Sequence, residues 1–270
     1  MRIISLSSIP PRFPFLKPTL ESLVSQQNVD EVRLYIPKTY RRFPEYDGNL
    51  PSVPDGVIIC QIEDDLGPAT KILPATRDFR NQDVQILFCD DDSIFPVGWA
   101  ERLFKAQGKR KFQAVATYGR DITYGRNISE VSVQRPRAKK IRIEYDLPYR
   151  TGRLLTKLFG VTSPLWRPII YPGYVDMLFG VSGVVVRPDF FDDEAFNIPD
   201  EAWPVDDIWL SAQLARKNIP IYCPWRFPCP RSGIQSSQDA LLDAEFAGLT
   251  RQESNRKAAF ICQHKYGIWK

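Results

Sequence analysis

The chain carries one histidine, no closely spaced cysteines, no long apolar run and little net charge, and each scarcity narrows what it does. Cys60, Cys89, Cys223, Cys229 and Cys262 are odd in number and scattered, with no C-x-x-C pair, which argues against a disulfide framework and against a zinc site. Most read as small core residues. Nowhere do the roughly 18–20 uninterrupted apolar residues of a membrane span occur. The N-terminal Met1-Arg2-Ile3-Ile4-Ser5-Leu6 enters a strand-like run at once and lacks the longer apolar core of a secretion signal, so a cytoplasmic location is expected. A net charge of +4 is too mild to imply nucleic acid, and no such partner is expected. Residues 5–14 contain no glycine, so the glycine-rich phosphate loop of many nucleotide enzymes is missing after the first strand.

What is present fits an ordinary globular protein. A hydrophobic content of 43% over 270 residues allows a sizeable core. Apolar runs at 2–6, 32–36, 57–62, 84–89, 113–117 and 181–187 read as strands, and the spacing predicts helices over 17–27, 97–107 and 206–217. Thr250-Arg-Gln-Glu253 has the pattern of a capping box and predicts a further helix through Ala258, Ala259 and Ile261. Strands interleaved with helices indicate an α/β fold with a mostly parallel sheet flanked by helices. With no internal repeat and no low-complexity linker, residues 1–270 are expected to form a single domain.

The most informative segment is Val84-Gln-Ile-Leu-Phe-Cys-Asp-Asp-Asp-Ser93, an apolar run that stops in three carboxylates. In an open α/β sheet ligands gather at the carboxyl ends of strands, which places Asp90, Asp91 and Asp92 at a binding edge. Three adjacent negative charges repel one another unless a cation screens them. Hard cations such as Mg²⁺ favour carboxylate oxygens together with substrate phosphates, so a metal–phosphate site is one reading and a solvated acidic turn or helix cap is the other.

Other segments bear on that choice. Strand 2–6 runs into Ser7-Ser8-Ile9-Pro10-Pro11-Arg12, a stiff turn carrying hydroxyls and a guanidinium. Asp64-Asp65-Leu66-Gly67-Pro68-Ala69-Thr70-Lys71 places a glycine turn and a helix start beside a cation. Gly180-Val-Ser-Gly183 offers a strand entrance of small residues. Asp206-Asp207 stand in the first turn of a helix, where acids are favourable as caps even without a catalytic role. Trp166, Trp203, Trp209 and Trp225 read either as core packing or as surfaces for sugar rings, and Trp203, just before the acidic pair, is the candidate for acceptor binding. Between Arg135 and Lys157 lie eight cations against Glu144 and Asp146, a stretch that reads as a solvated loop or as a contact for phosphates or an anionic membrane surface.

Together these motifs resemble a nucleotide-sugar-dependent glycosyltransferase of the GT-A fold, closest to small bacterial members related to glycosyltransferase family two. The resemblance implies a GT-A-like (Rossmann-like) sheet, with residues 1–118 as the nucleotide-sugar-binding half and 119–270 as the acceptor-binding and catalytic half. It implies a divalent metal, Mn²⁺ or Mg²⁺, held by Asp90 and Asp92 of a D-x-D motif and completed by His264. Donor contacts fall on Ser7, Ser8, Arg12, Asp65, Lys71, Asp90 and Asp91, and acceptor contacts on Gly183 and Trp203. Asp206 and Asp207 match the acidic pair that supplies the base in inverting members. The implied partners are a nucleotide-diphosphate sugar and a glycan or lipid-linked acceptor, with peripheral membrane contact through 135–157. The Ile9-Pro10-Pro11-Arg12 turn departs from the family, whose commoner pattern has an acidic residue after the second strand. Two other readings stand beside this one: a nucleotidyltransferase that makes nucleotide sugars, and a non-catalytic nucleotide- or sugar-binding module.

Overall fold

The computed structural model describes residues 1–123, 136–140, 147, 151, 154, 155, 158, 169–227, 230–233 and 251–269. Strands β1 (Arg2–Ser7), β2 (Glu31–Pro37), β3 (Val57–Ile62), β4 (Gln85–Phe88), β5 (Ala114–Ala116), β6 (Gly173–Val175), β7 (Val184–Val186) and β8 (Ile221–Cys223) form one sheet in the order β6-β8-β5-β7-β4-β1-β2-β3. Parallel pairing joins β3, β2, β1 and β4, and separately β5 with β8. Strand β7 runs antiparallel between β4 and β5, and β6 runs antiparallel to β8. The architecture is therefore α/β with a mostly parallel central sheet. Because β7 and β8 pair with β4 and β5, the sheet runs through both expected halves of the chain.

Two layers cover the sheet, and the alternation of side chains along each strand decides which residue faces which. Ile4, Leu6, Leu34, Ile36, Leu87 and Val185 point to one face, where α1 (Lys17–Val24) and α3 (Trp99–Gly108) bury Leu20, Leu23, Trp99, Leu103 and Phe104. Ile3, Tyr35, Ile86, Phe88, Val184 and Val186 point to the other, against Leu73 and Ala75 of α2 (Leu73–Asp78) and Leu210 and Leu214 of α4 (Asp206–Arg216). Outside that second layer, α5 (Arg251–Tyr266) packs Ala258, Ala259 and Cys262 onto Ile208, Trp209 and Ala212 of α4. Full burial of both faces explains why these strands read as continuous apolar runs rather than alternating ones.

The expected run at 181–187 divides: Gly180–Ser182 is a 3₁₀ turn and only Val184–Val186 is strand. Gly183, at φ 106°, separates them, and a Cβ there would stand 2.4 Å from the Trp99 ring. The Trp99 indole N–H donates to the Ser182 carbonyl at 2.9 Å, so this entrance is closed against α3 rather than opened to a ligand. Helix α3 begins at Trp99 because Gly98 adopts φ 75°, outside the helical region. Strands β6 and β8, three residues each, were too short to show a periodicity of their own. Of the basic stretch, Arg137 is engaged internally with Asp121 and Asp176, and Lys140 with Tyr118, while Lys139 is exposed. Arg135, Arg142, Arg150, Arg153 and Lys157 lie outside the described residues, as do Trp166 and Thr250. Among the described residues no helix is long and apolar enough to cross a membrane.

Candidate functional site

At the carboxyl ends of β1, β2 and β4 the turns diverge around a cavity of about 500 Å³. This is the size of an ordinary small-molecule site. Its wall contains Ser7, Ser8 and Arg12 from the turn after β1, Asp65 and Lys71 from the segment after β3, Asp90, Asp91 and Asp92 after β4, and Trp203, Asp206 and Asp207 at the start of α4. Eleven sequence-predicted residues thus meet in one place. Gly183 and His264 do not line it.

The three aspartates have different surroundings. Asp91 is buried, accepting hydrogen bonds from Ser8 Oγ at 2.5 Å and Arg12 Nη1 at 2.6 Å, so it staples the turn after β1 to the turn after β4. Asp90 Oδ1 lies 2.5 Å from Lys71 Nζ. Asp92 faces the cavity, with Arg12 Nη1 at 3.6 Å. Burial, together with Asp90 and Asp91 beside it, pushes the Asp92 carboxyl up to about 6, against the opposing pull of Arg12 and Lys71. Arg12 and Lys71 therefore leave its negative charge incompletely balanced.

That imbalance bears on a metal. Among the described residues no three His, Cys, Asp or Glu side chains are grouped to hold an ion by themselves. Two carboxylates, Asp90 and Asp92, at a sheet edge suit the other arrangement, in which a Mg²⁺- or Mn²⁺-like cation takes one or two carboxylates and completes its shell with substrate phosphates and water. The donor set fits such a cation and does not fit an all-protein cage. His264 stands apart. It is exposed near the end of α5 with its ring against Phe260, while Asn255 is the residue of α5 that reaches the cavity. Nine residues of helix separate the two, roughly 13 Å along the axis. The expectation that His264 completes the coordination is corrected by this placement.

At the start of α4, Asp207 Oδ1 accepts the Gly180 N–H at 2.9 Å. Among the described residues no hydrogen bond occupies its other oxygen. Burial and the neighbouring Asp206 push the Asp207 carboxyl up to about 7, against Lys71 and the Gly180 N–H. A carboxylate poised near neutrality with one oxygen unbonded is equipped to take a proton. Asp206 Oδ2 instead pairs with Lys71 Nζ at 2.8 Å and is buried.

Asp65 lines the cavity, yet its two oxygens accept backbone N–H bonds from Arg41 and Gly67, at 2.7 and 2.9 Å. It shapes the turn. Trp203 is buried, donates its indole N–H to the Asp65 carbonyl at 3.2 Å, and lies so close to Gly67 that a Cβ there would meet its ring at 2.8 Å. Only an edge of the indole remains for a ligand. Trp209 is core, its indole N–H bonded to the Ala195 carbonyl. Sequence reading missed Tyr40, Arg42 and Phe43 at one end of the cavity, and Arg120, Phe179 and Asn255 on the side of α4. Tyr40 and Phe43 follow the carboxyl end of β2, and that position was the available signal.

No family model and no curated protein matches the chain. Among solved structures, the crystal structure of S. aureus TarS aligns with 87% of this chain at 11% identity and a TM-score of 0.41. The crystal structure of 4-diphosphocytidyl-2C-methyl-D-erythritolsynthase from Anaerococcus prevotii DSM 20548 aligns with 45% of it at 19% identity and a TM-score of 0.28. The chain spans 37% of the first and 56% of the second. The cavity's own side chains, rather than these distant likenesses, carry the functional reading.

Proposed function

We propose that the protein transfers a sugar from a nucleotide-diphosphate sugar to an acceptor hydroxyl with inversion at the anomeric carbon. The observation that carries this reading is the presence, within one cavity, of a cation-seeking pair (Asp90 and Asp92) and a base poised near neutrality (Asp207). Such transfer develops negative charge on a departing diphosphate and needs a proton removed from the attacking hydroxyl.

The diphosphate rests against the turn after β1, where Arg12 is fixed by Asp91, and faces the Asp90–Asp92 edge. Asp90 and Asp92 would hold a divalent cation at that edge, which would supply neutralisation of the leaving group's charge. Arg12 contributes a fixed positive charge to the same end, held by its bond to Asp91 rather than recruited on binding. At the start of α4, Asp207 accepts the acceptor's O–H proton as the oxygen forms its bond to the anomeric carbon. The bond from that carbon to the phosphate oxygen breaks, and its electron pair leaves with the diphosphate. Tyr40 and Phe43 offer aromatic surface for the nucleoside, and the edge of Trp203, with Phe179 and Arg120, forms the acceptor side.

A nucleotidyltransferase would be expected to hold a triphosphate with a glycine-rich loop after the first strand. The Ile9-Pro10-Pro11 turn has no glycine, and its two prolines carry no N–H. Incubation with a panel of nucleotide sugars and Mn²⁺ tests the proposal. Release of nucleoside diphosphate and an inverted product anomer by NMR are expected; pyrophosphate exchange, a retained anomer, or no turnover with any donor would overturn it.

A further inference from the structure

Lys71, a phosphate contact by sequence, is enclosed. Its side chain lies on the cavity wall but the residue is only 5% exposed. The ammonium stands 2.5 Å from Asp90 Oδ1 and 2.8 Å from Asp206 Oδ2, and the backbone of Gly180 closes over it, since a Cβ on Gly180 would lie 2.6 Å from Nζ. Its own carbonyl accepts a bond from Ser5 Oγ of β1 at 2.6 Å, which fixes the base of the side chain to the sheet. The charged groups facing it are Asp90 on the strand-end turn and Asp206 and Asp207 on α4. Burial alone would lower its pKa, but these three carboxylates outweigh that effect and hold it well above the ordinary lysine value. Held between two carboxylates beneath the Gly180 backbone, the ammonium has little room for a phosphate oxygen.

We infer that Lys71 is a positioning residue: it clamps Asp90, on the donor edge, to Asp206, at the start of α4, and so sets the span across which Asp207 faces the donor. The inference rests on the transferase reading and deepens it. Asp207 follows Asp206 directly and is tied through its Oδ1 to the same Gly180 that roofs the lysine, so a shift of the clamp moves the base. A single bridging charge thereby joins two elements that are far apart in sequence.

Lys71→Arg is the discriminating variant, because it keeps the charge but cannot fit beneath Gly180. A positioning role predicts kcat lowered on the order of a hundredfold, the effect typical of an ångström-scale misplacement, with calorimetric affinity for nucleoside diphosphate plus Mn²⁺ within about threefold. Wild-type kcat in Lys71→Arg, or a loss of diphosphate affinity that matches the loss of kcat, would overturn it in favour of a phosphate contact. Should Lys71→Arg fail to fold, Lys71→Met/Asp206→Asn, which removes one charge of each sign, is the second variant. A double-mutant cycle on thermal unfolding tests the clamp without any turnover: Asp90→Asn and Asp206→Asn are expected to be non-additive beside Lys71 and additive in the Lys71→Met background. Additivity in both backgrounds would refute the clamp. Absence of turnover in the wild-type protein with every donor would instead defeat the transferase reading, while the unfolding cycle still decides the bridge.

Discussion

Asp207 in the cavity and Glu194 on the outer flank are both half-buried carboxylates that accept hydrogen bonds, yet their environments drive them in opposite directions. Glu194 takes bonds from Tyr266 at 2.7 Å and Asn197 at 3.0 Å and pairs with Lys265 at 2.7 Å. Those donors, Lys265 first, pull it down to about 2. Asp207 has one backbone donor, burial and an acidic neighbour, and is pushed up to about 7. Saturating a carboxylate with donors at the edge of solvent makes a fixed strut, here between the turn at 193–196 and the end of α5. Drying one beside like charge makes a group ready to exchange a proton.

The contrast breaks most visibly at Asp207. Asp207→Asn is expected to lower turnover by about a hundredfold or more while nucleoside diphosphate affinity stays nearly unchanged, read by steady-state kinetics and calorimetry. In the unmutated protein turnover should rise as pH passes through about 7, where the carboxylate forms. Stability runs the other way. The raised carboxyls of Asp92 and Asp207 bind protons in the folded state that the unfolded chain has already released, so their contribution declines as pH climbs from the ordinary carboxylate range near 4 through 6 to 7. Asp207→Asn should flatten that decline in a series of thermal unfolding curves.

Asp92→Asn comes next. Relief of the crowded negative charge should leave the fold intact while Mn²⁺-dependent binding of nucleoside diphosphate falls by at least about tenfold. Unchanged affinity by calorimetry would remove Asp92 from the site. Glu194→Gln sharpens the other side of the comparison: the loss should be about 1 kcal/mol, with the melting temperature lower by about 2–4 °C and no change in transfer. Because its pKa is lowered, the stability Glu194 supplies is present above the ordinary glutamate value of 4.5 and is lost as pH falls toward 2, so wild type and variant should converge in acid. Smallest of all is His264→Ala, for which Mn²⁺ affinity is expected to stay within about twofold, since the ring packs on Phe260 rather than on the cavity.

The Asp turn and the acidic helix start were legible because each combines a strong local signal with a fixed place in an α/β sheet. Asp90 to Asp92 end an apolar run, and Asp206-Asp207 open an amphipathic one. What escaped is the division of labour among them. Nothing in the local sequence says that Asp91 faces Ser8 and Arg12, or that Lys71 turns inward to Asp90 and Asp206, because those partners lie up to 135 positions apart and meet only through sheet order. Gly183 looked like a ligand entrance for the same reason that it packs against Trp99: both uses need a missing Cβ, and the sequence does not distinguish a cofactor from an indole. His264, the only imidazole, was drawn toward the metal by the family resemblance, whereas the helix that carries it reaches the cavity at Asn255.

Strand β4 has β1 on one side and β7 on the other, and β7 arrives about a hundred positions further along the chain. At ordinary rates of synthesis that is a wait of roughly 5–20 s, during which Gln85–Phe88 would present an open, apolar edge ahead of its three aspartates. The charged turn directly after the strand then acts as a guard against mispairing before it has any ligand to bind. A fragment ending at residue 118 retains the edge and lacks its cover, and is expected to sediment with aggregates where the full chain stays in solution; replacing Asp90 to Asp92 by asparagine should worsen that behaviour.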